Sequence, residues 1–275
     1  MRRAFPIAMN SRAASSSLTT GAQDRTLNAL SKVPEVTLIF WVVKILATTL
    51  GETGGDALSM TLDLGYAVST LIFLSFFIVT LFAQIRSTHY HPVWYWAVVV
   101  ATTTVGTTTS DYFDRTLGLG YVKSSAILLL LVLSILFIWK RTTGKIAVDH
   151  VVDRTNELFY WLTILVSNTL GTALGDFVAD SAGIGFEKGA LIFAALIAVV
   201  AALHFFTGLS KSILFWAAYI LTRPLGATLG DTLTKPLAQG GLNLGRIWSS
   251  VTIAVLMVVL IAVTRLRYRP QHAEL

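Results

Sequence analysis

Four aspartates close four copies of one motif: Gly51-Glu52-Thr53-Gly54-Gly55-Asp56, Gly106-Thr107-Thr108-Thr109-Ser110-Asp111, Gly171-Thr172-Ala173-Leu174-Gly175-Asp176 and Gly226-Ala227-Thr228-Leu229-Gly230-Asp231. Recurrence at intervals of 55, 65 and 55 residues marks internal duplication. Equivalent carboxylates on symmetric, closely packed helices would form a ring. Oxygen ligands suit hard cations such as Mg²⁺, Ca²⁺ or Mn²⁺, and acidic rings also line cation-selective mouths. Asp56, Asp111, Asp176 and Asp231 are therefore candidate ion and metal ligands. Glu52 joins them in the first copy only, because Thr107, Thr172 and Ala227 take its place elsewhere, so any site is asymmetric. A second reading is structural. Asp56 lies 22 residues beyond Pro34, about 33 Å along a helix. At the far interface an Asp simply terminates a helix or binds turn amides.

Two cations lie deep in apolar sequence, Lys44 and Arg223. An unpaired cation there costs at least about 2.5 kcal/mol, so both are expected to find partners, with the motif acids nearest. The pairs Gly51/Gly55, Gly106/Ser110, Gly171/Gly175 and Gly226/Gly230 are small-xxx-small spacings, which let helix backbones approach closely. Trp41, Trp96, Trp161 and Trp216 each stand fifteen residues before their Asp. Their place near one end of a span suggests anchoring in the interfacial aromatic belt rather than a ligand cage. His89 and His91 flank Tyr90 in a polar link, and His150 and His204 are isolated; such residues are usually solvent-exposed rather than metal ligands. Thr103-Thr104-Val105-Gly106 has the start of a potassium-filter sequence, but no Gly-Tyr-Gly follows. No nucleophile–base pair, phosphate loop or dinucleotide fingerprint is present, so neither an enzyme nor a bound cofactor is indicated, apart from a bound or transported divalent cation.

The elements that must hold these residues are membrane spans. The chain is 54% apolar and only 13% charged, with mean hydropathy +0.69, a polytopic membrane composition. It has no cysteine, which excludes disulfides and thiolate sites. The apolar runs 67–85, 122–139, 189–206 and 247–264 (B spans) are long enough to cross a hydrocarbon core of about 30 Å. Preceding each is an A span that begins near Pro34, Pro92, Asn156 or Ser210 and runs through Trp into the glycine motif. B spans are apolar all round and suited to lipid. A spans carry threonines and charges, which need partners, so they should face one another. The expected fold is all-α, with eight transmembrane helices from four parallel two-helix repeats at about 34–86, 92–140, 156–206 and 210–265, within a membrane domain 31–265.

Charge orients the spans. Of 21 Lys and Arg, fourteen lie in the tails and the B-to-A links, and five (Arg115, Lys123, Lys188, Lys235, Arg246) lie in the A-to-B turns. This places both termini in the cytoplasm and the motifs toward the outer face. The net charge of +6 thus reflects topology rather than nucleic-acid binding. Residues 1–30 and 266–275 read as cytoplasmic tails. The first is Ser-rich with no apolar run after its arginines, unlike a secretory signal, although an organellar transit peptide shares its composition.

Lys32-Val33-Pro34-Glu35-Val36-Thr37, Gly51-Glu52-Thr53-Gly54-Gly55-Asp56 and Arg154-Thr155-Asn156-Glu157-Leu158-Phe159-Tyr160-Trp161 carry a resemblance to a known family. The chain, from about Lys32 to Arg265, resembles the bacterial four-repeat membrane proteins known as domain (repeat) of unknown function 347. That resemblance implies two spans and a characteristic Trp per repeat, and implies no activity. The fourth repeat departs from the pattern at Pro224 and in its longer turn, Lys235-Pro236-Leu237-Ala238-Gln239-Gly240.

The expected function is transport or export of a small cation across the bacterial inner membrane through the acidic motifs. Lipid and the cation are the expected partners. The alternative is a structural or interaction protein whose motifs only pack and cap helices; a membrane-embedded enzyme comes third. Transport requires polar groups continuous from face to face, whereas packing leaves the cytoplasmic half of the A bundle dry and apolar.

Overall fold

The computed structural model describes residues 32–146, 151 and 153–268. The 1–30 tail, His150 and residues 269–275 lie outside the described residues. The described residues form eight α-helices: α1 (Leu38–Asp56), α2 (Gly65–Arg86), α3 (Pro92–Asp111), α4 (Tyr121–Thr143), α5 (Arg154–Asp176), α6 (Phe186–Phe206), α7 (Lys211–Thr234) and α8 (Arg246–Tyr268). Odd-numbered helices are the A spans and even-numbered helices the B spans. The protein is an all-helical polytopic membrane protein.

Local signals set most A-helix starts. Pro92 occupies the first turn of α3, where its missing N–H costs nothing. Asp153 Oδ1 accepts the Asn156 amide at 2.9 Å and caps α5. The first helix begins later than Pro34. Thr37 Oγ1 accepts the Phe40 amide at 3.3 Å, and the preceding segment is held out of the helix by Lys32, whose Nζ donates to Glu157 Oε2 at 2.8 Å and Ile85 O at 2.9 Å.

Seven of the eight helices are long and apolar enough to cross a membrane, and α3 is the exception. Its threonines lower its hydropathy, yet fourteen of its twenty residues are buried. Those hydroxyls turn back onto their own helix, Thr102 to Val99 O at 2.7 Å and Thr104 to Ala101 O at 2.9 Å. A span so enclosed has no need of an apolar surface. Burial separates the two classes clearly: 56% to 72% of the apolar windows of α1, α5 and α7 is buried, against 17% to 22% for the B helices. The B helices therefore present their apolar faces outward, as lipid requires.

The A helices form a closed ring in the order α1, α3, α5, α7, with α7 packed back on α1. Each B helix packs on the A helix of the next repeat: α2 on α3, α4 on α5, α6 on α7, and α8 on α1. The ring closes because glycines let its members touch. A Cβ on Gly51 would overlap Thr103; on Gly106 it would lie 2.9 Å from the Asn168 carbonyl carbon; on Gly171 it would overlap Arg223, and on Gly226 Thr48. One turn later Gly55 meets Thr107, Gly175 meets Ala227 and Gly230 meets Glu52. Every glycine thus faces the next repeat, and the fourth faces the first.

At the opposite end of the ring an aromatic layer repeats the same offset. Ring centroids lie 5.7 Å apart for Phe40–Trp96, 5.6 Å for Tyr95–Trp161, 5.7 Å for Tyr160–Trp216 and 5.6 Å for Trp41–Phe215. This corrects the interfacial expectation for the tryptophans. Trp96, Trp161 and Trp216 are buried, and only Trp41 keeps partial exposure. Their repetition reflects a shared inter-helix contact.

Candidate functional site

The motif ends of the A helices turn sharply after each Asp. In the first three repeats the chain leaves the helix through one wide turn, closed by Leu62 N to Ala57 O, Leu117 N to Tyr112 O and Ala182 N to Phe177 O at 2.8–2.9 Å. Gly65, Gly120, Gly185 and Gly245 then adopt positive φ, between +70° and +86°, which only glycine takes without strain. The fourth repeat lacks the wide turn: α7 continues to Thr234, and its extra residues form a short 3₁₀ turn at Leu237–Gln239. The departure visible in the sequence is thus a longer helix and a separate loop.

Within the ring, Arg223 reaches from α7 to the three other A helices. Its Nη2, with two N–H donors, lies within hydrogen-bond distance of three oxygens: Glu52 Oε2 at 3.0 Å, Thr107 Oγ1 at 2.5 Å and Thr172 Oγ1 at 2.7 Å. Its Nη1 lies 3.5 Å from Thr48 O. Glu52, Thr107 and Thr172 are the same motif position in three repeats; the fourth is Ala227, on the arginine's own helix. Arg223 has no exposed surface and Glu52 is 3% exposed. Arg223 therefore pairs with an acid of the first repeat and not with Asp231, eight residues along its own chain.

The four aspartates lie one turn further out, each 1% or 2% exposed. Arg115 bridges two of them, with Nε 3.0 Å from Asp111 Oδ1 and Nη2 3.2 Å from Asp176 Oδ2. Lys235 bridges the other two, 3.3 Å from Asp231 Oδ1 and 3.8 Å from Asp56 Oδ2, and Arg246 Nε adds a contact to Asp56 at 3.3 Å. Burial works against the Lys235 ammonium, but the Asp231 and Asp56 carboxylates outweigh it and hold its pKa above the usual lysine range. Asp56, Asp111 and Asp176 make no side-chain cap to the turns that follow them. They are ion-paired rather than bound to turn amides.

The expected ring is consequently uneven. Glu52, Asp56 and Asp231 each bring a carboxylate oxygen within 4.8 Å of the others, a spacing that suits shared ligation of one cation. Asp111 and Asp176 stand apart from that trio, joined through Arg115. Ser110, the small residue of the second motif, is buried, and its hydroxyl donates to Asp114 Oδ2 at 3.1 Å, while Asp114 also accepts the Ser124 hydroxyl of α4.

Lys44 differs from Arg223. It is fully buried, finds no acid, and its Nζ has no hydrogen-bond partner among the described residues. It sits over the Tyr219 ring, 4.2 Å from the centroid, a cation–π contact. Beyond it the Tyr95 and Tyr160 hydroxyls bond each other at 2.8 Å within the aromatic layer.

A family model described as Repeat of Unknown Function (DUF347) matches four times, at residues 39–90, 94–145, 159–210 and 214–269. The chain belongs to this family. Each DUF347 match takes in one A helix and the B helix that follows, with the Trp at its third position and the Asp at its eighteenth. No curated protein matches the chain, and no solved structure does. The DUF347 unit is therefore a sequence repeat that is not a packing unit, because its two helices pack mainly on neighbouring repeats.

Several groups at this site escape a motif-by-motif reading. Arg115 and Lys235 each stand four residues after an Asp, an i,i+4 spacing that was available in the sequence as a pairing signal. Arg246 and the hydroxyls of Thr107 and Thr172 carried no such signal, since their partners lie 190, 116 and 51 positions away. His89 and His204 gather no metal-ligand cluster with acids among the described residues.

Proposed function

We propose that this protein is a transporter of a small cation in the bacterial inner membrane, with both termini cytoplasmic and the motif ends of the A helices facing outward. The observation that carries this reading is the burial of five carboxylates, Glu52 and the four motif aspartates, at the motif end of the A helices, three of them with oxygens within 4.8 Å of one another. Packing of helices through glycine requires no charge at that place, and ionisable groups kept inside a membrane span at such cost mark ion pathways. The side chains that neutralise the aspartates sit at the mouth: Arg115 and Arg246 retain 27% and 22% of their side-chain exposure. A cation entering there exchanges with these groups for the same oxygens. The fourteen-to-five distribution of basic residues supports the orientation. A metal-by-metal uptake and efflux screen, in cells with and without the protein, tests the reading; no change for any ion removes it.

A second reading has its own observation. Each motif aspartate already has a cationic partner, and the aromatic layer of Phe40, Tyr95, Tyr160 and Phe215 with its tryptophans fills the other end of the ring. An end so filled by aromatic rings is what a structural or interaction protein requires. Aspartate-to-asparagine variants that lose stability without any ion-dependent phenotype favour this alternative.

A further inference from the structure

We propose that the Arg223 guanidinium is a tethered cation, seated in an oxygen site that a dehydrated monovalent cation takes when the arginine withdraws. This rests on the cation-transport reading and names the class of ion for its innermost site.

The seat is built from four oxygens on three helices. Glu52 Oε2, Thr107 Oγ1 and Thr172 Oγ1 lie 2.5–3.0 Å from Arg223 Nη2, and Thr48 O lies 3.5 Å from Nη1. Without the guanidinium the set is one carboxylate, two hydroxyls and one backbone carbonyl. Such neutral oxygens with a single charge replace the hydration shell of an ion like Na⁺ or K⁺. Arg223 fills this seat incompletely as a structural lock. Its Nε has no hydrogen-bond partner among the described residues, nor has the Oδ1 of Asn168, a residue 1% exposed at the equivalent position of the third repeat.

Charge selects the valence. In the seat itself the charges are one to one, the Arg223 guanidinium against the Glu52 carboxylate, both buried. Where the arginine's charge is removed, as in Arg223→Gln, a monovalent ion restores that balance. A divalent ion leaves one positive charge uncompensated in a low-dielectric span, which is strongly unfavourable.

The test uses the full chain purified in detergent and thermal unfolding followed by tryptophan fluorescence. Arg223→Gln should unfold at least about 2 °C higher in NaCl or KCl than in choline chloride of equal ionic strength, because an ion bound only by the folded state stabilises it. Wild type, with its seat filled, should show no such difference. Glu52→Gln/Arg223→Gln, which removes both charges, should fold and be insensitive to the cation. The proposal is overturned by an Arg223→Gln protein that does not respond, that responds more strongly to MgCl₂ at equal ionic strength, or that folds in none of these salts. It is equally overturned by a response retained in the double variant. Flux in proteoliposomes separates the two ideas. Sodium- or potassium-stabilised Arg223→Gln in a protein without cation flux keeps the site and removes transport, whereas flux with an unresponsive Arg223→Gln does the reverse.

Discussion

Arg223 Nη2 donates to Glu52 Oε2 at 3.0 Å across 171 positions of sequence, joining the last A helix to the first. The same two helices meet at Gly226 against Thr48 and at Gly230 against Glu52, so glycine contacts and a buried ion pair lie together where the ring closes. Burial of both partners means that neither charge has water to fall back on.

The first prediction follows from that burial. In choline chloride, Glu52→Gln or Arg223→Gln alone should cost about 3–5 kcal/mol, the scale for stranding one charge of a buried pair. The double variant should cost clearly less than the two single losses added. Unfolding in detergent, arranged as a double-mutant cycle, measures the coupling; additive losses would show that the pair does not act as a unit.

Glycine contacts give the second. Gly171→Leu and Gly226→Leu place side chains where Arg223 and Thr48 already sit, and overpacking of this kind costs about 1–3 kcal/mol or more. Leu at Ala194, on the exposed face of α6, should be close to neutral. Folded yield on size-exclusion chromatography compares them. Equal yields would remove the close A–A contact as the source of stability.

The third concerns the aromatic end. Trp161→Ala should cost about 3–5 kcal/mol, because the ring is 2% exposed and packs on Tyr95 and Tyr160. An interfacial anchor would cost far less. Thermal melts of Trp161→Ala beside Trp94→Ala, a 39% exposed tryptophan of the same region, give the comparison, and similar small shifts would restore the belt reading.

Transport and architecture divide over the aspartates. Asp56→Asn and Asp231→Asn remove charge from the trio with Glu52 while keeping shape and one carbonyl oxygen. Under the transport reading, cation flux should fall at least about tenfold with near-normal folded yield. Asp111→Asn, outside the trio, should act more weakly and mainly free Arg115. Asn variants with wild-type flux for every ion would eliminate the carboxylate site.

Reporter fusions at Leu275 and at Leu117 check orientation. The excess of basic residues on the B-to-A side predicts opposite sides of the membrane, with Leu275 inside. The same side for both would contradict eight crossings.

Sequence alone determined the fourfold duplication, the alternation of polar A and apolar B spans, and the glycine spacing that brings A helices together. Each is a local periodic property: hydropathy reports whether a helix wants lipid, and a small residue every fourth position reports that some backbone comes near. Neither reports which backbone. That Gly51 meets Thr103 and Gly226 meets Thr48, that α8 covers α1, and that Trp96 packs inward on Phe40 all depend on how the repeats rotate about a common axis. The partner of Arg223 was hidden for the same reason. Counting along α7 makes Asp231 its nearest acid, but the next turn of that helix directs Asp231 to Lys235, while the three other A helices present Glu52, Thr107 and Thr172. Lys44, one turn before Thr48 on α1, meets the Tyr219 ring instead. A buried charge takes its partner from the helices packed around it, and only the closed ring decides which helices those are.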